Sequence, residues 1–279
     1  MVFNDDILFI HVPKTAGMAV SHALLKALPR PVYYAVQAGH EGDVEDVTVI
    51  EGRRHQRLVD VDEWFESVGL PHRVATFKHV LVMVRNPYAL EVSRYHYLQA
   101  GHPWDAGEAQ TLALEGDFDA FVRKSRWWFD FADYYSVNGV TPRNLRILRQ
   151  EGFTIELAAR LSDVRVDALE IEELNVSNPK AYAEHMAPEL EPLVYAKYQF
   201  LFDQGFYSRE VFTRKPESEM ADASDTAPES APAIDGDAID REHDNGGVTI
   251  AEPSPPAPES PRVSELESAL SPATRQRNH

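Results

Sequence analysis

The sequence contains no cysteine among its 279 residues. This absence excludes disulfide bonds, thiolate metal sites and cysteine nucleophiles. Positive charge is also scarce, because 27 lysines and arginines stand against 45 aspartates and glutamates, which gives a formal net charge of -18. A charge balance of this kind disfavours nucleic acids and anionic membrane surfaces as partners.

Long hydrophobic runs are absent as well, and no stretch approaches the roughly 20 apolar residues that span a bilayer. The first residues lack the basic segment of a secretory signal. We therefore expect a cytoplasmic protein without a membrane span, a location that the lack of cysteine also favours. Hydrophobic residues still make up 43% of the chain, which is enough for a sizeable core.

A short uncharged segment, residues 7–12, opens the most informative part of the chain. It is typical of a buried strand in a parallel sheet, and Pro13 must end that strand. Helical spacing of apolar residues follows from residue 19 onwards. Lys14, Thr15 and Gly17 therefore occupy a strand-to-helix turn. Backbone N–H groups, a helix N-terminus and an ammonium group converge there, which suits a phosphate or sulfate group.

A second uncharged strand is predicted at residues 80–84, and Arg85 follows it directly. Pro87 then suits the first turn of a helix that carries Ser93 inward. Strands that alternate with helices predict an α/β protein with a parallel, doubly wound sheet. In such sheets ligands bind beyond the carboxyl ends of the strands, where Lys14 and Arg85 are both expected.

Other segments carry weaker signals. Residues 127–131 form an aromatic cluster that we expect in the core, with stacking on a sugar as the alternative. His11 is expected to be a hydrogen-bonded core residue and His96 a packing residue on the second helix. Further strands are predicted at residues 32–36 and 47–50, and further helices at residues 60–68, from 117, from 141 through 149 and at 188–205.

The turn after the first strand is not a Walker A loop, because the pattern G-x-x-x-x-G-K-[ST] is absent. Residues 9–17, F-I-H-V-P-K-T-A-G, instead resemble the 5′-phosphosulfate-binding loop of sulfotransferases that use PAPS (3′-phosphoadenosine 5′-phosphosulfate). The resemblance is to the carbohydrate, heparan-sulfate-type branch. Residues 84–97, V-R-N-P-x-x-x-x-x-S-x-Y-x-Y, are similar to the 3′-phosphate-binding segment of that family. The resemblance implies a P-loop NTPase-like sulfotransferase fold, a three-layer parallel sheet with helices on both faces.

The resemblance also implies binding roles for individual residues. Lys14 would stabilise the leaving group, and Arg85 with Ser93 would bind the 3′-phosphate; arginine suits phosphate because its planar fork donates paired hydrogen bonds. The Thr-Ser pair of the family is replaced here by Met18-Ala19, a change that we expect to weaken binding by roughly 1–3 kcal/mol. The residues implied to bind the 5′-phosphosulfate are Lys14, Thr15, Ala16, Gly17, Met18 and Ala19.

The acceptor hydroxyl must lose a proton, and histidine is the most suitable base because it titrates near neutral pH. Eleven histidines are present. The position of the catalytic histidine in the resembling branch implies His55. His40 is the alternative, and Glu41 or Glu51 would serve if neither histidine faces the cleft.

The sequence divides into a sulfotransferase-like domain at residues 1–212 and an acidic tail at residues 213–279. The tail holds 9 of the 19 prolines, and its composition predicts disorder. The expected function is transfer of a sulfuryl group from PAPS to a hydroxyl of a carbohydrate or glycoconjugate. A nucleotide-dependent phosphotransferase and a non-catalytic sulfotransferase-like binding protein are the alternatives. No metal site is predicted.

Overall fold

The structure is a computed structural model that describes residues 1–39, 45–101, 107–164 and 181–213. His40, Glu41 and, apart from residue 213, the acidic tail lie outside the described residues. Among the described residues the protein is an α/β structure with one mixed six-stranded sheet. The strands are β1 (Val2–Phe3), β2 (Ile7–Ile10), β3 (Tyr33–Val36), β4 (Thr48–Glu51), β5 (His79–Val84) and β6 (Leu145–Arg149).

The sheet has the order β4-β3-β1-β2-β5-β6. The strand β1 is antiparallel to both of its neighbours, and all the other pairings are parallel. The prediction of an all-parallel sheet is therefore wrong. Only three residues join β1 to β2, and so short a connection permits only an antiparallel pair. The side chain of Asn4 closes this turn by accepting hydrogen bonds from the N–H groups of Asp6 and Ile7.

The remaining five strands all point the same way, so their carboxyl ends lie at one edge of the sheet. This edge carries the turn after β2 and the turn after β5. In α/β sheets it is the edge at which ligands bind. We refer to it below as the carboxyl edge.

The predicted alternation of strands and helices holds only in part: helices follow β2, β4, β5 and β6, whereas no helix joins β1 to β2 and none lies in the described residues between β3 and β4. The helix after β5 begins at Pro87, and Asn86 caps it by accepting hydrogen bonds from the N–H groups of Tyr88 and Ala89. Asp117 caps a later helix in the same way. The helices are α1 (Gly17–Ala27), α2 (Val61–Ser67), α3 (Pro87–Gln99), α4 (Glu108–Leu114), α5 (Phe118–Lys124), α6 (Phe153–Arg160), α7 (Glu191–Lys197) and α8 (Gln199–Asp203). Short 3₁₀ helices cover Leu58–Asp60, Val74–Thr76, Phe131–Tyr134, Gln150–Gly152 and Ala181–Glu184.

Two predicted helices differ from the structure. The predicted helix at residues 141–149 is wrong, because Leu145–Arg149 is the strand β6, which pairs in parallel with β5. A spacing of three between Leu145 and Leu148 fits a helix, but a short apolar segment does not distinguish the two structures by periodicity. The predicted helix at residues 188–205 is divided at Tyr198 into α7 and α8.

Both faces of the sheet are buried at β2 and β5, which explains why these two strands carry no charge. Along β2, Leu8 and Ile10 belong to one hydrophobic cluster, whereas Ile7 and Phe9 belong to another. Residues of α2 and α3 contribute to the first cluster, and residues of α1 and α6 contribute to the second. Within the described part of the chain, no helix combines the length and apolar character required to cross a membrane.

Candidate functional site

The turn after β2 has an unusual backbone. Lys14 and Ala16 adopt left-handed conformations, with φ values of 62° and 63°, which non-glycine residues rarely do. Alternation of right- and left-handed residues directs successive N–H groups toward one point and creates an anion-binding concavity. The hydroxyl of Thr15 is buried and donates to the carbonyl of Val12 over 2.8 Å. This hydroxyl therefore stabilises the turn, and only the backbone of Thr15 is left to bind an anion.

The N-terminus of α1 completes this concavity. Its N-cap residue, Ala16, makes no capping hydrogen bond through its side chain, and the first turn contains no acidic residue. The N–H groups of Gly17, Met18 and Ala19 belong to this first turn, where the helix has no internal acceptors for them. The positive end of the helix dipole adds to their attraction for an anion.

Gly17 is required by the packing of this turn. A Cβ atom at this position would lie 1.9 Å from Cδ2 of His11. The ring of His11 is buried beneath the turn, with 4% of the residue exposed. The glycine therefore lets the backbone of the turn rest directly on this ring.

The structure brings Lys14 and Arg85 together at the carboxyl edge. The strands that precede them, β2 and β5, are adjacent and parallel. Nη1 of Arg85 donates to the carbonyl oxygen of Lys14 over 3.1 Å. The ammonium group of Lys14 lies 3.7 Å from the centre of the Tyr97 ring on α3, within the range of a cation–π interaction.

Ser93 lies on the face of α3 that is directed toward this turn. It precedes Tyr97 by four residues, and residues four apart share one face of a helix. Ser93 is half-buried. The guanidinium of Arg85 is also half-buried; burial lowers its pKa, while the nearby Glu151 and Tyr207 raise it. Sequence reasoning did not single out Tyr97, although its spacing from Ser93 was a usable signal.

His55 is held next to the same turn. Its Nδ1 lies 3.0 Å from the carbonyl oxygen of His11. A carbonyl only accepts, so Nδ1 carries the proton and Nε2 carries the lone pair of the neutral ring. Burial lowers the pKa of His55 to about 4, with a smaller lowering from the cationic Arg54 and Lys14 and an opposing effect from the bond to His11. His55 is therefore neutral near pH 7.

His11 differs from the expectation in one respect. It is buried as predicted, and its ring centre lies 4.5 Å from that of His55. However, its Nδ1 makes no hydrogen bond to any described residue. Burial, together with the neighbouring His55, places the pKa of His11 well below its usual value. Two neutral imidazoles thus stand side by side beneath the turn.

The other predicted residues lie apart from this cluster. His96 is exposed on α3, where its Nε2 is 3.4 Å from Nε2 of His185. In the aromatic cluster at residues 127–131, Phe129 and Phe131 are buried in the core, whereas Trp128 is 55% exposed. Glu51 is exposed at the end of β4. Across the described ranges, no group of three or more histidine, aspartate or glutamate side chains is arranged to hold a metal ion.

A polar groove of about 600 Å³ lies beside the segment that contains His55. The carboxyl ends of β3 and β4 and one side of α2 form its walls. Sequence reasoning did not predict this groove, because its residues are spread over 31 positions without a motif. The lining residues are Gln37, Glu51, Gly52, Arg53, Gln56, Arg57, Asp60, Glu63, Trp64 and Ser67.

Comparison with known proteins adds no relative to this description. Neither the models of protein families, nor the curated proteins, nor the solved structures yield a match to this chain. The candidate site therefore rests on its own geometry: a left-handed turn at a helix N-terminus, an arginine from the adjacent strand and a neutral histidine beside them.

Proposed function

We propose that this chain is a sulfotransferase that moves a sulfuryl group from PAPS to a hydroxyl of a carbohydrate or glycoconjugate. The proposed architecture is the three-layer, P-loop NTPase-like sulfotransferase fold, with the antiparallel β1 as an addition. The observation that carries the proposal is the 3.1 Å hydrogen bond between Arg85 and the carbonyl of Lys14. Because of it, two anion-binding turns from adjacent strands lie close enough to bind one donor molecule.

The turn at Lys14 fits a 5′-phosphosulfate group. Its left-handed residues and the uncapped first turn of α1 offer backbone donors. These donors do not depend on side chains. The site therefore tolerates Met18 and Ala19 in place of the hydroxyl-bearing Thr-Ser pair of the resembling family. The absence of an acidic side chain in the first turn of α1 removes a source of repulsion.

The opposite end of the donor would meet α3. Arg85 offers a planar guanidinium and Ser93 a hydroxyl, both of which suit a phosphate group. Ser93 shares the helix face of Tyr97, which contacts Lys14. The resemblance to the sulfotransferases implies the 3′-phosphate for Arg85 and Ser93 and the 5′-phosphosulfate for the Lys14 turn, and the shared face supports a position of Ser93 beside this turn.

The proposed reaction requires one proton transfer and one displacement. PAPS supplies the sulfuryl group. Nε2 of His55 accepts the proton of the acceptor hydroxyl as the new oxygen–sulfur bond forms, and the bond between sulfur and the bridging phosphate oxygen breaks. The ammonium of Lys14 and the backbone N–H groups stabilise the negative charge that develops on the departing oxygen. Burial keeps His55 unprotonated and ready for this role.

The proposal is tested by incubating the full chain with ³⁵S-labelled PAPS and a panel of saccharides and cell extracts. We expect label on a carbohydrate or glycoconjugate, and a loss of about 10²- to 10⁴-fold in rate for His55→Ala. His96→Ala is the matched control, since His96 is an exposed histidine on α3, and it should retain the full rate.

Other outcomes would replace the proposal. Unchanged turnover of His55→Ala would remove this residue from the mechanism. Transfer that requires ATP and magnesium, with none from PAPS, would identify a phosphotransferase instead. Binding of the desulfated product PAP (3′-phosphoadenosine 5′-phosphate) with no transfer to any acceptor would identify a non-catalytic binding protein.

A further inference from the structure

The polar groove beside residues 52–57 is a second place where a ligand can bind. Of the six residues in this segment, Gly52, Arg53, Gln56 and Arg57 line the groove. His55 belongs to the same segment, and its side chain bonds to His11 beneath the Lys14 turn. The segment therefore separates the groove from the proposed donor site, with His55 between them.

Gln56 indicates that the groove is built for hydrogen bonding. Only 7% of this residue is exposed, and it lines the groove. No hydrogen bond joins its side-chain amide to another described residue. The amide is not one of the buried side-chain groups that lack a partner among the described residues, so it is accessible from the groove and can bind a ligand there. A ligand hydroxyl in the groove would satisfy this amide.

Trp64 forms an aromatic wall of the groove. It rests against Gly52, where a Cβ atom would lie 3.2 Å from Cζ2 of the indole and 3.2 Å from Cβ of Ala35. Gly52 thus allows the ring to approach the end of β4. An aromatic wall combined with amide and carboxylate groups is suited to the apolar faces and the hydroxyls of a sugar ring.

The charges of the groove restrict the kind of ligand. Three carboxylates, those of Glu51, Asp60 and Glu63, stand against two guanidinium groups. One of these, that of Arg57, binds Asp60 and Asp133, each over 2.7 Å. The charge of Arg57 is thereby compensated within the protein. Glu51 and Glu63 outnumber the remaining guanidinium group, that of Arg53, so a polyanionic chain would meet a net repulsion, whereas an uncharged ligand would not.

We infer that this groove binds the acceptor, and that the acceptor is an uncharged oligosaccharide rather than a sulfated or carboxylated one. The role of acceptor rests on the proposed function. The presence of a saccharide site and its selectivity rest on the groove alone. Glu51 and Glu63 select against anionic glycans, and Gln56 and Trp64 contact the sugar.

Calorimetry on the full chain tests this inference with two probes, an uncharged hexamer of N-acetylglucosamine and a heparin hexasaccharide. We expect the uncharged hexamer to bind at least tenfold more tightly than heparin, with or without PAP present. Gln56→Leu should weaken binding of the uncharged hexamer about tenfold, because it removes the amide. Thermal unfolding of the Gln56→Leu variant is measured in parallel to verify that it folds.

A charge reversal keeps the test decisive if Gln56→Leu does not fold. Glu63 is exposed on α2. Glu63→Lys should shift the ratio of the affinities for the uncharged hexamer and for heparin toward heparin by about tenfold. The matched control, Glu66→Lys, is exposed on the same helix outside the groove and should leave the ratio unchanged.

The outcomes separate the two proposals. Tighter binding of heparin by the unmodified chain, or equal shifts for both lysine variants, would overturn the groove inference. If PAP binds while either of these results is obtained, the proposed donor site is still supported and only the groove inference fails. Selective binding of the uncharged hexamer without any binding of PAP would support the groove as a saccharide site and overturn the proposed sulfotransferase function.

Discussion

Two arginines nine residues apart, Arg85 and Arg94, occupy contrasting surroundings. Arg94 is fully buried, donates to the carbonyl of Arg126 over 2.6 Å and lies 4.4 Å from the ring of Trp127. Arg85 is half-buried at the carboxyl edge and donates to the carbonyl of Lys14. The same side chain thus supports the core in one place and borders a candidate binding site in the other. The difference follows from their positions, because Arg85 directly follows β5 and Arg94 lies within α3.

The surroundings of Arg94 extend this contrast. The carboxylate of Glu91 is fully buried and accepts hydrogen bonds from Lys197 and Tyr198. Burial lowers the pKa of Lys197, and Glu91 opposes this effect. In this buried cluster the carboxylate of Glu91 compensates the charge of Lys197. At the carboxyl edge, the ammonium of Lys14 lies against the Tyr97 ring, and the guanidinium of Arg85 donates to the carbonyl of Lys14 and lies near Glu151.

The largest expected effect is the loss of turnover when the charge of Lys14 is removed from the candidate site. Lys14→Ala should reduce turnover with PAPS by about 10²- to 10³-fold, because it removes a group that stabilises charge on the departing oxygen. Its melting temperature should stay within about 2 °C of the unmodified chain. Lys26→Ala, which changes an exposed lysine of α1, is the control and should retain full turnover. A similar loss in both variants would contradict the role of Lys14.

The next effect concerns stability. Glu91→Ala leaves the buried ammonium of Lys197 without its carboxylate and should lower the free energy of unfolding by about 3–5 kcal/mol. Urea denaturation measures this change. Glu115→Ala, at an exposed glutamate after α4, should stay within about 0.5 kcal/mol. A change at Glu91 as small as that at Glu115 would show that the buried cluster contributes little.

A smaller effect compares the two arginines directly. Arg85→Lys loses the planar fork and should raise the dissociation constant of PAP by about 10- to 100-fold, with little change in stability. Arg94→Lys should lower stability and leave PAP affinity within about twofold in the folded protein. Calorimetry and thermal unfolding on both variants measure the two quantities. The reverse pattern would show that the roles of the two arginines are exchanged.

The smallest effect is on the pH profile. His55 must be neutral to accept a proton, and its pKa is lowered from 6.5 to about 4. Activity should therefore be lost as pH falls through about 4, and kcat/KM should be constant between pH 5.5 and 7.5. Initial rates over pH 4–8 measure this, with circular dichroism to verify the fold. A loss of activity centred near pH 6.5 would show that burial does not lower the pKa of His55.

The sequence predicted those elements whose physics is local. β2 and β5 are uncharged because both faces of the sheet are buried at these two strands, and Pro87 marks the start of α3. β1 escaped prediction because two residues carry no periodicity. β6 was misread because its hydrogen bonds come from a distant partner, β5.

The site shows the same division between local and distant causes. The Lys14 turn and the arginine after β5 follow from residues close together in the chain. Tertiary packing determines the contact of Tyr97 with Lys14, and it leaves Nδ1 of His11 without a hydrogen bond to any described residue. The groove depends on three elements that meet only in the folded chain, so no single stretch of sequence could indicate it.

Titration of the full chain with PAP by calorimetry tests the central claim most directly. The account predicts one molecule of PAP per chain, with a dissociation constant in the micromolar range, and much weaker binding when Arg85 is replaced by alanine. No heat at millimolar PAP would contradict it, since the turns at Lys14 and Arg85 would then not form a donor site.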